Sequence, residues 1–218
     1  VAGGTDLWPN MKRRHQKAET VVSLLGIPGL DAINTTAGDA RIGATATLAD
    51  IIRDDAVRDR FPALARALAS ISSPPLRNMG TIGGNLCVDT RCTYYNQTEE
   101  WRRSIDYCLK EEGEICWVAT KSPRCWAHSA SDSAPILCAL DARIKLVSAR
   151  GKREIPLREM YVDDGIDYLA KQPDEILTEI TIPESSDSKH CRSTFWKLRR
   201  RGSIDFATMS VAAAVWLD

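Results

Sequence analysis

Arg77-Asn-Met-Gly-Thr-Ile-Gly-Gly-Asn85 is the most informative stretch of the chain, because it contains a glycine-rich turn suited to holding a phosphate. Glycines allow positive φ angles and close approach of a ligand, so successive N–H groups can point at phosphate oxygens. A second Gly-Gly turn lies in Ala2-Gly-Gly-Thr-Asp-Leu7, and Thr5, Thr81 and Asn85 add polar side chains beside the two turns. Neither turn matches the G-x-G-x-x-G fingerprint or the P-loop. The pair of turns therefore favours a diphosphate-carrying cofactor without naming it.

The composition is that of a globular protein with no strong electrostatic preference for a partner. The 218 residues are 44% hydrophobic and 27% charged, with 29 basic and 29 acidic side chains. A net charge of zero gives no global field that would attract nucleic acid or anionic lipid, and no apolar run is long enough to span a bilayer. Seven cysteines, an odd number, favour a reducing, cytoplasmic compartment over a disulfide framework. Because the chain opens with Val1 directly before a Gly-Gly turn, we expect it to be a fragment, which leaves a targeting peptide open.

Apolar and β-branched runs predict a mostly antiparallel sheet. The predicted strands are Thr20–Leu25, Ala40–Ala44, Arg143–Ser148, Lys152–Leu157, Ile176–Ile182, Ser193–Leu198 and Met209–Leu217. The turn at Arg150-Gly151 makes the third and fourth of these a hairpin. With the helices described next, the pattern predicts an α+β fold in two lobes, residues 1–45 and 46–218.

Helix signals concentrate in the stretch that precedes the second glycine turn. Thr47 followed by Asp50 is similar to a capping box, so a helix is expected to begin there. It should break at Pro62, resume over Ala63–Ile71 and end at Pro74-Pro75. An apolar stretch, Ser131-Asp-Ser-Ala-Pro-Ile-Leu-Cys-Ala-Leu140, predicts a further helix after the central segment.

Residues 88–130 interrupt this pattern and have no sustained helical or strand period. The segment carries Cys92, Cys108, Cys116 and Cys125 with the spacing C-x15-C-x7-C-x8-C. This spacing lacks the C-x2-C pairs of zinc ribbons and bacterial ferredoxins, so on its own it leaves zinc, an iron–sulfur cluster and unligated thiols open. Five aromatic residues lie between or beside the cysteines: Tyr94, Tyr95, Trp101, Trp117 and Trp126. They could form an apolar layer around a cluster, the small hydrophobic core of the segment, or both.

The remaining reactive residues predict no acid–base or nucleophilic step on this chain. Cys138 lies in an apolar stretch and Cys191 in a polar turn, while the nearby Cys87 is set aside as a ligand in favour of Cys92. The three histidines have no evident catalytic partner, and no pair of carboxylates is apparent. We therefore predict no catalytic residues: cofactors carry the chemistry, and the protein binds and orients them.

The two glycine turns resemble the pyrophosphate loops of the flavin subunits of molybdenum hydroxylases, the xanthine dehydrogenase family. The resemblance continues through Asp132, Glu175-Ile-Leu-Thr-Glu-Ile-Thr-Ile-Pro183 and Lys197-Leu-Arg-Arg-Arg-Gly-Ser-Ile-Asp-Phe206, and it covers nearly the whole chain. It implies a two-subdomain FAD-binding fold of the vanillyl-alcohol-oxidase-like (PCMH) type. Members of this family usually continue into a third, C-terminal domain; because this sequence stops at Asp218 after a predicted strand, we expect either a truncated chain or the absence of that domain.

The resemblance also implies which residues hold the flavin. The cofactor-binding set is Val1, Ala2, Gly3, Gly4, Thr5, Asp6, Leu7, Thr81, Ile82, Gly83, Gly84, Asn85, Asp132, Leu177 and Lys197. The glycine turns would hold the diphosphate, while Leu177 and Lys197 would line the flavin. Ile71 falls where some relatives place an aromatic residue. Structural alternatives are a core role for Leu177 and membership of Lys197 in a solvated basic cluster with Arg199–Arg201.

The central segment resembles the insert of the β subunits of the 4-hydroxybenzoyl-CoA reductase family. There the insert carries a [4Fe-4S] cluster, and all four ligand positions fall on cysteine here: Cys92, Cys108, Cys116 and Cys125. The resemblance implies electron transfer from a ferredoxin-like donor to the cluster, to FAD, and on to partner subunits with [2Fe-2S] clusters and a molybdenum cofactor. The complex would convert 4-hydroxybenzoyl-CoA to benzoyl-CoA, a step of aromatic degradation.

Two alternatives stay open at this stage. The same scaffold could serve an oxidative molybdenum hydroxylase, in which electrons leave along this route instead of entering. Alternatively, the four cysteines could bind zinc and make the segment a structural or interaction module with no redox role.

Overall fold

The computed structural model describes residues 1–216, so the end of the last predicted strand, at Leu217, lies outside the described residues. The strands are β1 (Ile33–Asn34), β2 (Ala40–Gly43), β3 (Arg143–Ser148), β4 (Gly151–Pro156), β5 (Ile176–Ile182), β6 (Cys191–Leu198) and β7 (Met209–Trp216). The helices are α1 (Leu7–Lys12), α2 (Leu48–Arg53), α3 (Asp55–Arg60), α4 (Pro62–Ala69), α5 (Pro74–Arg77), α6 (Ile82–Leu86), α7 (Glu99–Ser104) and α8 (Ser133–Ala139). Short 3-10 helices cover Leu157–Met160 and Glu184–Ser186.

The described strands form two antiparallel units. A five-stranded sheet has the order β1-β2-β5-β3-β4, and β6 pairs with β7 in a two-stranded ribbon. The predicted hairpin is confirmed, with Ser148 opposite Gly151, and β5 has the predicted bounds. The larger sheet contains strands from both sides of residue 45, while the division of the chain into lobes at that residue stays a prediction. Among the described residues, no helix is both long enough and apolar enough to cross a membrane.

The predicted helical region is present but is divided more often than the sequence suggests. Thr47 caps α2, with its hydroxyl oxygen accepting from the N–H of Asp50 at 3.1 Å. Asp54 ends that helix and caps the next one by accepting from the N–H of Val57 at 2.8 Å, a break that was not predicted. Pro62 begins α4 as expected, but Pro74-Pro75 begin α5 instead of ending a helix. Proline suits the first helical turn because the N–H it lacks would have no partner there.

The predicted strand at Thr20–Leu25 is wrong. The segment has no regular structure, and Val22 is 68% exposed. Beyond local turns, its backbone hydrogen bonds join it to the start of the chain: the amino group of Val1 donates to the carbonyl of Val22, and the N–H of Leu24 donates to the carbonyl of Val1. Strand propensity measures how well a side chain fits a half-buried pleated surface. No neighbouring strand supplies that surface here.

The core lies between the five-stranded sheet and helices α2, α4, α6 and α8. Fully buried members include Phe61, Leu64, Ile136, Ile144 and Ile180. The β6–β7 ribbon packs on α4 and α8. The second glycine turn lies within α6 and borders the same cavity as Lys197 near the end of β6.

Residues 88–130, hereafter the insert, leave and rejoin the core at one place. The side-chain oxygen of Asn85, ahead of the insert, accepts from the hydroxyls of Ser131 and Ser133 behind it, at 3.0 and 2.6 Å. Arg91 and His128 then pair as an isolated antiparallel bridge. The one regular element between them is the six-residue helix α7. The insert is therefore a long loop-like segment whose two ends lie side by side on the rest of the fold.

Candidate functional site

A cleft of about 650 Å³ lies between the two glycine turns. Fourteen of the fifteen residues predicted to bind the cofactor line it: Val1, Ala2, Gly3, Gly4, Thr5, Asp6, Leu7, Thr81, Gly83, Gly84, Asn85, Asp132, Leu177 and Lys197. Ile82 does not line the cleft, because its side chain is buried in the core beneath the turn. Ile71 is part of the lining. The structure thus gathers distant segments around one cavity, while their contact with a cofactor stays a prediction.

The first glycine turn offers unused backbone donors to the cleft. Within residues 1–216, the N–H groups of residues 2–7 donate to no other group. Gly4 has a φ of +67°, which glycine adopts without strain. A Cβ on Gly3 would lie 1.8 Å from the carbonyl oxygen of Met79, so the two turns touch here backbone to backbone. A run of free N–H groups in a concave turn is a binding site for anions.

The second glycine turn has a different role from the one that its sequence suggests. Its N–H groups are already used: Gly83 donates to the carbonyl of Ala44 at 2.9 Å, and Gly84 to the hydroxyl of Thr81 at 3.1 Å. A Cβ on Gly83 would lie 2.7 Å from the Cβ of Ala44. These glycines therefore bring α6 close to β2 and form a wall of the cleft, while the free donors come from the first turn.

Asp132 and Lys197 form a buried ion pair at the cleft. The ammonium of Lys197 lies 2.6 Å from a carboxylate oxygen of Asp132 and also donates to the carbonyl of Ser70 at 3.2 Å. Both side chains are less than one-tenth exposed. Burial raises the pKa of Asp132, and the hydrogen bond from Lys197 opposes that rise. The solvated basic cluster considered for Lys197 is therefore wrong for this residue.

Several charged residues of the cleft were not predicted. Arg91 forms an ion pair with Asp6 and lies 4.7 Å from the ring centre of Phe206, joining the insert to the first turn and to the loop before β7. Glu175 accepts two hydrogen bonds from Arg153 at 2.6 and 2.8 Å. The only sequence signal for Arg91 was its position between the second glycine turn and Cys92, because its partner lies 85 positions away.

The four cysteines of the insert lie close enough to affect one another. Cys108, Cys116 and Cys125 are buried and Cys92 is partly buried. Burial raises the pKa of Cys108, and the neighbouring Cys92 and Cys125 add to the rise. Burial likewise raises the pKa of Cys125, and Cys116 and Cys92 add to it. Within residues 1–216 no group of three or more His, Cys, Asp or Glu side chains is arranged so that it could hold a metal ion, and the [4Fe-4S] site stays a prediction.

Two cationic side chains of the insert, Lys110 and Arg102, make buried hydrogen bonds. The ammonium of Lys110 donates to Asp89, to the hydroxyl of Thr90 and to the carbonyl of Gly165, at 2.7–2.8 Å. Arg102, only 1% exposed, pairs with Glu99 and Glu111 and donates to the carbonyl of Arg13. The insert is therefore held to the segments of Arg13 and Gly165 by buried charges, although the Nε of Arg102 has no hydrogen-bond partner within the described residues.

Cys87 belongs to the cleft and not to the cysteine group. It contributes to the lining of the cavity, and burial raises its pKa to about 11. Its position is consistent with the prediction that set it aside.

The cleft fits a flavin dinucleotide on its own chemistry. Free N–H groups at the first turn suit a diphosphate, and apolar Leu177 and Ile71 suit a flat ring system. The volume of about 650 Å³ is within the range of sites for small molecules and cofactors. FAD, when bound, supplies a centre that accepts or donates one or two electrons.

Comparison with known proteins gives the same picture. The family model for the FAD binding domain in molybdopterin dehydrogenase matches residues 1–185. The aldehyde oxidoreductase FAD-binding subunit of Escherichia coli K12 is 35% identical over 228 residues, covering 100% of this chain and 70% of that protein. The nicotinate dehydrogenase FAD-subunit of Eubacterium barkeri is 27% identical over 219 residues, with 100% and 60% covered.

Solved structures agree in fold. A carbon monoxide dehydrogenase from Hydrogenophaga pseudoflava, which lacks the Mo-pyranopterin moiety of its cofactor, has a TM-score of 0.73 at 25% identity, over 97% of this chain and 59% of that one. Reconstituted CO dehydrogenase from Oligotropha carboxidovorans has a TM-score of 0.75 at 26% identity, over 100% and 61%. The chain thus spans about 60% of the length of most of these relatives.

Proposed function

Since this chain belongs to the family of FAD binding domains in molybdopterin dehydrogenases, we propose that it transfers electrons between FAD in the cleft and an iron–sulfur cluster on the insert. FAD binding follows from the family. The cluster, the partners and the reaction of the whole complex are the proposed part. One observation carries it: the insert gathers four cysteines, three of them buried, close enough to affect one another, and its residues Asp89 and Arg91 line the cleft.

In this proposal the first turn binds the diphosphate through its free N–H groups. Thr81, Asn85 and the glycines of the second turn shape the opposite wall of the cleft. Leu177 lies on β5, is 5% exposed as part of the core and borders the cleft, where it would meet the flavin, while the Asp132–Lys197 pair would supply fixed charges. These residues bind and orient the cofactor, and none of them needs to exchange a proton with a substrate.

In this proposal the cysteines bind a [4Fe-4S] cluster and not a zinc ion. A zinc ion gathers four thiolates into one coordination sphere, whereas each iron of the cluster binds a different thiolate. The described residues contain no group of three or more such side chains arranged to hold a metal ion, so the choice of the cluster over zinc rests on the resemblance of the insert. Cys92, Cys108, Cys116 and Cys125 would each ligate one iron, and the backbone N–H of Ala127, 3.4 Å from the sulfur of Cys125, would stabilise its negative charge.

The partners follow from the resemblance of the insert. A ferredoxin-like protein would deliver electrons to the insert, and they would leave the cleft for partner subunits with [2Fe-2S] clusters and a molybdenum cofactor. The reaction would be the reductive dehydroxylation of 4-hydroxybenzoyl-CoA to benzoyl-CoA. Support for this assignment comes from the sequence of residues 88–130 alone.

An oxidative complex is the second candidate, and the names of the relatives favour it. The relatives compared above are an aldehyde oxidoreductase subunit, a nicotinate dehydrogenase subunit and carbon monoxide dehydrogenases. The relative with 35% identity aligns with the whole of this chain, insert included. In this case electrons from a substrate would reach the cleft first and leave through the insert.

Metal analysis and one redox experiment test the proposal on the purified complex. We expect iron and acid-labile sulfide beyond the content of the [2Fe-2S] subunit, and flavin bands plus a broad shoulder that dithionite bleaches under anaerobic conditions. Zinc bound to this chain without iron or sulfide would overturn the cluster. A cluster potential far below that of the flavin would favour the reductase, and a potential above it would favour the oxidative complex.

A further inference from the structure

We propose that Lys110 is a positioning residue for electron transfer: its buried ammonium fixes the cysteine group against the cleft and favours the reduced state of the group. The inference rests on the proposed function, because it requires a redox group on the cysteines. It concerns a residue of the insert itself, which neither the glycine turns nor the four cysteine positions single out.

Lys110 lies between the two sites. Its ammonium donates to Asp89 at 2.8 Å, and Asp89 lines the cleft. It also lies 5.4 Å from the ring centre of Tyr168, another residue of the cleft. One carboxylate and one aromatic ring therefore separate the ammonium from the space where the flavin is expected.

On its other side, Lys110 reaches the cysteines. Its ammonium donates to the carbonyl of Gly165 at 2.7 Å, and a Cβ on Gly165 would lie 2.6 Å from the sulfur of Cys125. The backbone of Gly165 is thus in contact with that sulfur, and its N–H donates to the carbonyl of Cys125 at 3.0 Å. The positive charge of Lys110 also opposes the rise that burial causes in the pKa of Cys125.

The charge of Lys110 is held in a fixed position. The side chain is 7% exposed, and its three donors have three acceptors. The ring of Tyr95, 5.1 Å from the ammonium, encloses it further. A charge in so dry a surrounding acts on its neighbours with little screening by solvent.

This charge bears directly on electron transfer. When one electron from the donor reaches the cysteine-bound group, its negative charge increases by one, and when that electron passes to the flavin, the charge falls by one. A nearby positive charge stabilises the more negative state. Lys110 should therefore raise the reduction potential of the group, and Asp89 should oppose this in part.

The test compares three variants in the purified complex by iron and sulfide analysis and by a redox titration followed by electron paramagnetic resonance. Lys110→Met removes the charge and keeps the apolar stem. Asp89→Asn combined with Lys110→Met removes both charges, so that no buried carboxylate is left without its partner. Lys121→Met is the matched control, because Lys121 is exposed on the same insert.

We expect Lys110→Met to keep its iron and to shift the potential of the cluster to a more negative value. The double variant should show a smaller negative shift, and Lys121→Met none. An unchanged potential in Lys110→Met with full iron content would overturn the inference. Loss of iron from both the single and the double variant would also overturn it, since Lys110 would then serve only folding. Absence of iron from the unaltered complex would instead contradict the proposed function.

Discussion

The flavin cleft and the cysteine insert are neighbours built in opposite ways. The cleft is a gap between elements of a packed scaffold: it lies against α6 and β5, over a core whose central side chains are fully buried. The insert has one six-residue helix, and buried charges such as Arg102 and Lys110 hold it together. Apolar packing therefore positions the first site, while ion pairs and backbone-directed hydrogen bonds position the second.

This difference predicts different dependence on the ligands. Packing of apolar surface stabilises the cleft whether or not a cofactor is present. A segment of about forty residues with little regular structure has few apolar contacts of its own. A bound metal group that joins distant positions of the segment therefore contributes more to its stability. We therefore expect the cleft to persist without iron, and the insert to depend on it.

The largest expected effect comes from removing one thiol. Cys108→Ala should abolish incorporation of the cluster and leave flavin bound, because Cys108 is one of the four proposed iron ligands while the cleft is held by the scaffold. Iron, sulfide and flavin content of the purified complex measure this. Cys138→Ala is the control, since Cys138 lies in α8, outside the insert. Joint loss of iron and flavin from Cys108→Ala would mean that the two regions fold as one unit.

Breaking one buried ion pair in each region comes next. Lys197→Met leaves Asp132 buried without its cation, and Arg102→Met does the same to Glu111, so each should cost about 3–5 kcal/mol. The location of the damage should differ. Lys197→Met should lower the thermal unfolding temperature of the domain, whereas Arg102→Met should open the insert to limited proteolysis within residues 88–130. Equal effects on the unfolding temperature, with no new cleavage site, would contradict the distinction between the regions.

Local chemistry explains which parts of both regions the sequence could predict. The Thr47 cap, the hairpin at Arg150-Gly151 and the bounds of β5 each depend on residues a few positions apart, and the structure confirms them. The strand predicted at Thr20–Leu25 is wrong because a strand also needs a partner and a surface, which local composition does not specify.

The same limit applies to the candidate site. Both glycine turns could be predicted from the sequence. Their different roles could not, because the first offers free N–H groups and the second packs α6 against β2, and these roles depend on the contacts of Gly83 with Ala44 and of Gly3 with Met79. Lys110 and Arg91 were missed because their partners are distant in sequence: Arg91 and Asp6 are 85 positions apart. A single sequence gives no signal for such pairs.

A smaller effect is expected from filling the contact between the two glycine turns. Gly3→Ala would place a methyl group 1.8 Å from the carbonyl oxygen of Met79, so backbone must move. Overpacking of this kind costs about 1–3 kcal/mol. Because the shift displaces the free N–H groups of the first turn, we expect FAD binding to weaken by the corresponding factor, roughly five- to 150-fold. Titration of the apoprotein with FAD measures it. Gly202→Ala is the control because its Cβ would meet nothing within 4 Å, and wild-type affinity in Gly3→Ala would show that the turns separate freely.

The smallest expected change in stability comes from removing an exposed or partly exposed ion pair, one at the rim of the cleft and one on the insert. Hydrogen bonds from Arg153 hold the pKa of Glu175 at about 2, below its ordinary 4.5. A lowered pKa means that the ionised carboxylate stabilises the fold above pH 4.5, and that this contribution disappears as the pH falls toward 2. Glu175→Gln should therefore cost about 1 kcal/mol at neutral pH, because Arg153 is partly exposed and solvent screens the pair.

Denaturant unfolding at several pH values measures this cost. The difference between Glu175→Gln and the unaltered protein should be constant above about pH 5 and should vanish as the pH approaches 2. Asp163→Asn on the insert side breaks the pair with Arg124, but Asp163 is 89% exposed, so we expect a change within about 0.5 kcal/mol. A larger loss from Asp163→Asn than from Glu175→Gln would mean that exposed charges also hold the insert, and that its buried cations carry less of its stability than their geometry indicates.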